Sequence, residues 1–194
     1  MVSKKVVSKN ILCAMAAVLA GIPAGKMSVS ADELASCEPS PRVEAPHPQV
    51  PSVVGEKLFN ALIAWIAMNT SYDLLVAYND PPTLSFCEVG EVIEYEQSDL
   101  MVDAVLLAAF DREKRHIFLT APWSPLSYFD QSVLLHELIH DVQLQNKEWD
   151  CAGAPELEAY HLQDKWLFEH GIKHQFNWAM IRRLSSCGEN NEAR

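Results

Sequence analysis

The string His136-Glu137-Leu138-Ile139-His140 holds the residues best suited to chemistry in this chain. Residues four apart on a helix lie one turn above each other on one face, so both imidazoles can reach a single ion. Glu137 follows the first histidine and leans to the same side, where a carboxylate can take a proton from an activated water. Two imidazoles and one carboxylate suit Zn2+ and leave a coordination position open. A third protein ligand is therefore required. The extended three-histidine pattern fails, because Gln143 stands where its glycine belongs and no histidine follows in register. Glu156 and Glu158, sixteen and eighteen residues after His140, are the remaining candidates. A helical hairpin can return a carboxylate to the histidines from that separation. Being two residues apart, these glutamates cannot both face the ion. Glu156 is favoured, with Glu158 as the alternative. His161 suits a supporting or surface role, and Gln143 lies near the metal face with an amide free to bond the ligand shell or the next helix.

Positioning these groups takes two helices, and the punctuation for them is present. Ala121-Pro122-Trp123-Ser124-Pro125 breaks a strand, Ser124 with Pro125 reads as a cap and first turn, and Ser127 with Asp130 three later is a weaker signal for a later start, leading to a helix over about 127–146. Asp150 to Pro155 interrupts it, a second helix covers about 156–169, and Gly171 stops it. Upstream, a helix runs from about Val53 and ends around Asn69 to Asp73, with Leu58, Leu62, Trp65 and Ile66 at helical spacing. Residues 83–89 read as a short strand, and 104–120 as an antiparallel hairpin whose second strand is His116 to Thr120. That strand, if it forms the sheet edge, would align an extended peptide by main-chain hydrogen bonds. A last helix is expected over 173–186.

HELIHDVQ together with ELEAYHLQDKW resembles the small gluzincin-type zinc metallopeptidases, in particular a compact bacterial family with HELxHxxQ and ExEAYxLQ motifs. The resemblance covers about 55–187. It implies an α+β, zincin-like (minigluzincin-type) fold with a small antiparallel sheet against the active-site helix. It also implies His136, His140 and Glu156 as Zn2+ ligands, and Glu137 as general base in hydrolysis of a peptide or protein substrate. Tyr160 then occupies the position that supports the first histidine, where many relatives of the wider clan have aspartate; Asp164 or Gln163 is the alternative. Tyr160, Tyr128 and His161 are the candidates for steadying an oxyanion. The rival expectation is a secreted metal-binding or structural domain that keeps this fold without turnover.

The rest of the chain sets the compartment. Lys4, Lys5 and Lys9 precede an apolar run from Ile11 to Ile22, and small residues end at Ala31, so 1–31 reads as a cleaved signal peptide. Export to a periplasm or the exterior follows, with no stable membrane anchor after cleavage. Residues 32–52, with five prolines between 39 and 51, read as a linker or arm, 53–188 as the metallopeptidase domain and 189–194 as a polar tail. The net charge of −11 becomes −15 without the leader, which repels nucleic acid and anionic lipid. Cys37, Cys87, Cys151 and Cys187 then remain as candidate disulfide cysteines.

Overall fold

The computed structural model describes residues 14–16 and 54–188. Its elements in chain order are β1 (Ala14–Ala16), α1 (Glu56–Asn69), α2 (Leu75–Asn79), β2 (Thr83–Cys87), β3 (Val92–Tyr95), β4 (Ser98–Met101), β5 (Leu106–Asp111), β6 (His116–Thr120), α3 (Tyr128–Asn146), α4 (Glu156–Glu169) and α5 (Trp178–Leu184). The architecture is α+β and zincin-like: a small sheet packed against helices that bear a His/His/Glu cluster.

Four strands form one sheet in the order β1-β5-β6-β2. The β5–β6 hairpin is antiparallel, with Phe110 opposite Ile117 and Asp111 opposite His116, as its sequence predicts. β2 and β6 run parallel, so the sheet is mixed rather than antiparallel throughout. β6 is also interior, with neighbours on both sides, and the expectation of an exposed His116–Thr120 edge is overturned. β5 is covered on both faces, which explains its unbroken apolar run. Ala108, Phe110, Ile117 and Leu119 join the main core with α1, α3 and α4. The opposite face carries Cys87, Ala109 and Phe118 beneath Ile93 and Tyr95 of the β3–β4 hairpin.

That hairpin is absent from the sequence reading because its two-residue turn is Glu96-Gln97. Both residues adopt positive φ, 44° and 62°, where glycine or asparagine is the usual choice. Asp111 compensates: its buried carboxylate accepts from the Glu96 and Lys114 amides, and Arg112 pairs with Glu96 at 2.6 Å.

α3 is the central helix. Ser127 caps it by accepting from the Asp130 amide, and every residue from Gln131 to Gln143 is buried. α4 begins at Glu156 after Pro155, and Gly171, at φ 73°, lets the chain leave it. The terminal helix is shorter than expected, because 172–177 form an irregular connection. Cys151 and Cys187 are disulfide-bonded and tie the α3–α4 loop to the chain after α5. Cys87, by contrast, is a buried free thiol donating to the Leu119 carbonyl, not a disulfide partner. Cys37, the 36–51 arm, the cleavage point at 31 and the 189–194 tail lie outside the described residues. Among the described residues, no helix is long and apolar enough to cross a membrane.

Candidate metal centre

His136 and His140 project from adjacent turns of α3, and Glu156 meets them from the first position of α4. The two Nε2 atoms are 3.0 Å apart. Glu156 Oε2 lies 3.3 Å from His136 Nε2, and Oε1 lies 3.2 Å from His140 Nε2. All three side chains are buried, and among the described residues this is the cluster of histidine, cysteine and carboxylate groups able to hold a metal ion. The donor set fits Zn2+: two neutral-capable imidazoles and a carboxylate converge at the spacing of ligands around one small cation. Glu158 does not join them. Two residues further along α4, it turns to other partners, so the structure brings Glu156 rather than Glu158 to the histidines.

The electrostatics reflect the crowding. Burial opposes charge on Glu156, but the two histidines outweigh it and hold the carboxyl well below its usual range. Burial also pulls His140 down, yet the Glu156 carboxylate prevails and raises it to about 9. His136 is lowered by burial. Glu137 is fully enclosed, close enough to feel both His140 and Glu156, and burial pushes it up to about 8. Among the described residues, neither of its oxygens has a hydrogen-bond partner. A buried carboxyl without a protein partner is costly to keep charged, which is why burial dominates its shift.

Gln143 supports the second histidine: its Oε1 lies 3.0 Å from His140 Nδ1, and its amide nitrogen donates to the Pro155 carbonyl at 3.1 Å. The first histidine is less firmly held. Gln163 lies beside it and favours its protonated form, but His136 Nδ1 and Gln163 Oε1 complete no hydrogen bond. Tyr160 packs its ring edge-on to His136 at 4.5 Å, and Phe176 packs on Tyr160 in turn at 5.4 Å. The connection after α4 thus walls one side of the site. His161 is exposed and stacks on Trp178, so its proposed supporting role finds no contact with the cluster. Asp164 lies with it in the lining of a surface pocket that excludes the triad. Tyr128 packs at a tilt against His170, with ring centroids 4.3 Å apart.

Two partners escaped the sequence reading. Asp141, buried beside His140, receives a two-pronged contact from Arg115 at 2.8 and 3.1 Å, and Arg115 also grips Asp80. This joins the helix bearing the histidines to the β5–β6 turn. Tyr72 reaches Glu158 from the α1–α2 connection. The first left little local signal, since Asp141 stands between His140 and Gln143 in a stretch already rich in polar residues; once buried, it demands a cation.

Residues 51–192 match the family described as Domain of unknown function (DUF6647). The chain belongs to that family. The DUF6647 match spans every helix described above and leaves β1 outside it. No curated protein and no solved structure matches the chain.

Proposed function

We propose that this DUF6647 protein is a gluzincin-type zinc peptidase, with His136, His140 and Glu156 as ligands and Glu137 as the general base. The observation that carries the reading is the convergence of three buried ligand atoms beside a buried, unpartnered glutamate. A zinc ion held there supplies Lewis-acid polarisation of a carbonyl and acidifies water. Glu137 takes the proton as the water oxygen bonds to the carbonyl carbon. It then passes that proton to the nitrogen as the C–N bond breaks, leaving acid and amine. Its enclosed position raises its basicity, which suits a group that must bind a proton and release it. A structural metal site has no need of that carboxylate.

A peptide substrate is favoured by the sheet. β5 lies next to α3, and its outer edge pairs antiparallel with β1, inside the segment read as a leader. Removal of that leader would free the edge for another extended strand. Export is further supported by the Cys151–Cys187 bond, which suits an oxidising compartment.

Elemental analysis and peptide-library hydrolysis test the reading together. One zinc per chain is expected in the native protein and in Glu137→Gln, with turnover lost by at least about 1,000-fold in the latter. His140→Ala and Glu156→Ala should lose the metal. Zinc retained with no hydrolysis of any peptide would leave a metal-binding domain without turnover, and no transition metal after reconstitution would remove the proposal.

A further inference from the structure

Glu158 sits two residues beyond Glu156 and therefore faces away from the triad, yet its Oε2 accepts from the Gln143 amide at 2.9 Å and from the Tyr72 hydroxyl at 2.6 Å. Gln143 is wholly buried and its donors are committed, one to Glu158 and one to the Pro155 carbonyl. Those two acceptors allow a single orientation of the amide. Turned over, its carbonyl would face a carboxylate and another carbonyl, and its NH2 would face the imidazole. The carbonyl must then point at His140, so Nδ1 of His140 must be the protonated nitrogen. In the neutral imidazole, the form that can bind a metal, the lone pair is then on Nε2, the atom facing His136 and Glu156. The same chain of bonds polarises the amide: a carboxylate on its N–H side makes its oxygen the stronger acceptor.

Building on the metal-binding reading, we propose that Glu158 is a positioning residue that acts through Gln143 to fix the tautomer and donor strength of His140, with Tyr72 as its tether. A carboxylate bonded directly to a ligand histidine is a common way to orient it; here an amide stands between the two. His136 provides the contrast, since its Nδ1 is buried with no such partner among the described residues. The tether also makes the centre responsive to a third chain segment, because Tyr72 lies on the α1–α2 connection.

The test is Zn2+ affinity of the intact chain by chelator competition, with the Co2+ absorption spectrum recorded alongside and folding checked by near-ultraviolet circular dichroism. Glu158→Gln should weaken Zn2+ binding by about 10- to 100-fold. Tyr72→Phe, which keeps the carboxylate charge and the shape of the site, should change affinity by a few-fold and shift the Co2+ bands. That change should disappear in the Glu158→Gln background, since both act through one network. Unchanged affinity and spectra in both variants, with only the unfolding midpoint lowered, would make the network structural and overturn the inference while the metal reading stands. Wild-type protein that binds neither ion would overturn both.

Discussion

Glu137 is held in an environment that resists its charge, and that has a measurable cost. Its pKa rises from the ordinary value near 4.5 to about 8 on burial. A carboxyl raised in the folded state disfavours folding wherever the unfolded chain has already lost the proton. Its cost is therefore absent below about pH 4.5, grows above that, and levels off beyond about pH 8. Metal-free Glu137→Gln protein should accordingly be more stable than wild type at pH 7, by on the order of 1 kcal/mol, with the advantage shrinking towards pH 4.5. Urea titrations across that range read the difference directly, and an equal stability at every pH would contradict it. The histidine pair and Glu137 were legible because helical spacing alone decides which side chains share a face. The sequence favours Glu156 over Glu158, and the helix expected from 156 is the one observed, with Glu156 at the histidines; the partners that hold Glu158 away were not legible. Tyr72, 86 residues from Glu158, left no local signal at all.

Between elements, charge does work that apolar contact leaves undone. Arg115 lies in the β5–β6 turn at φ 48°, and its guanidinium clamps buried Asp141 on α3. Arg115→Ala should lower stability by about 3 kcal/mol, since it leaves a buried carboxylate without its cation. The loss should be visible as a lower urea midpoint in the metal-free protein. The Glu96-Gln97 turn offers the opposite case. Gln97→Gly removes a side chain from a left-handed position and should stabilise the fold by about 1 kcal/mol, measured in the same titration. His116 sits half-buried across from β2, its ring nitrogens 2.7 Å from Thr83 Oγ1 and 2.8 Å from Ser85 Oγ. Burial lowers its pKa, so its contribution is present at neutral pH and diminishes as pH falls below about 6.5. His116→Gln should therefore flatten the decline in melting temperature between pH 7 and pH 5. The β5–β6 hairpin and three main helices could be read from apolar runs and caps. The β3–β4 hairpin could not, since its turn lacks the residues that announce one, and the parallel β2–β6 pairing depends on packing far apart in sequence.

Across the whole molecule, α5 and the α3–α4 loop are held together at two points. Gly153 allows the loop to pass against the Leu184 carbonyl, where an added Cβ would overlap it, and Cys151–Cys187 closes the contact covalently. Cys187→Ser should cost up to about 4 kcal/mol through restored freedom of the unfolded chain, observable as a lower denaturant midpoint without reductant. Gly153→Ala should displace α5 and lower the same midpoint. The arrangement of the triad has a further bearing on how the molecule comes together. His136, His140 and Glu156 fall within 21 residues of chain, whereas the sheet's β2–β6 pairing spans 33. Contacts close in sequence form before distant ones. The α3–α4 hairpin can therefore bring the His/His/Glu cluster together while the sheet is still assembling, so a metal bound as proposed would act on folding as well as on the finished site.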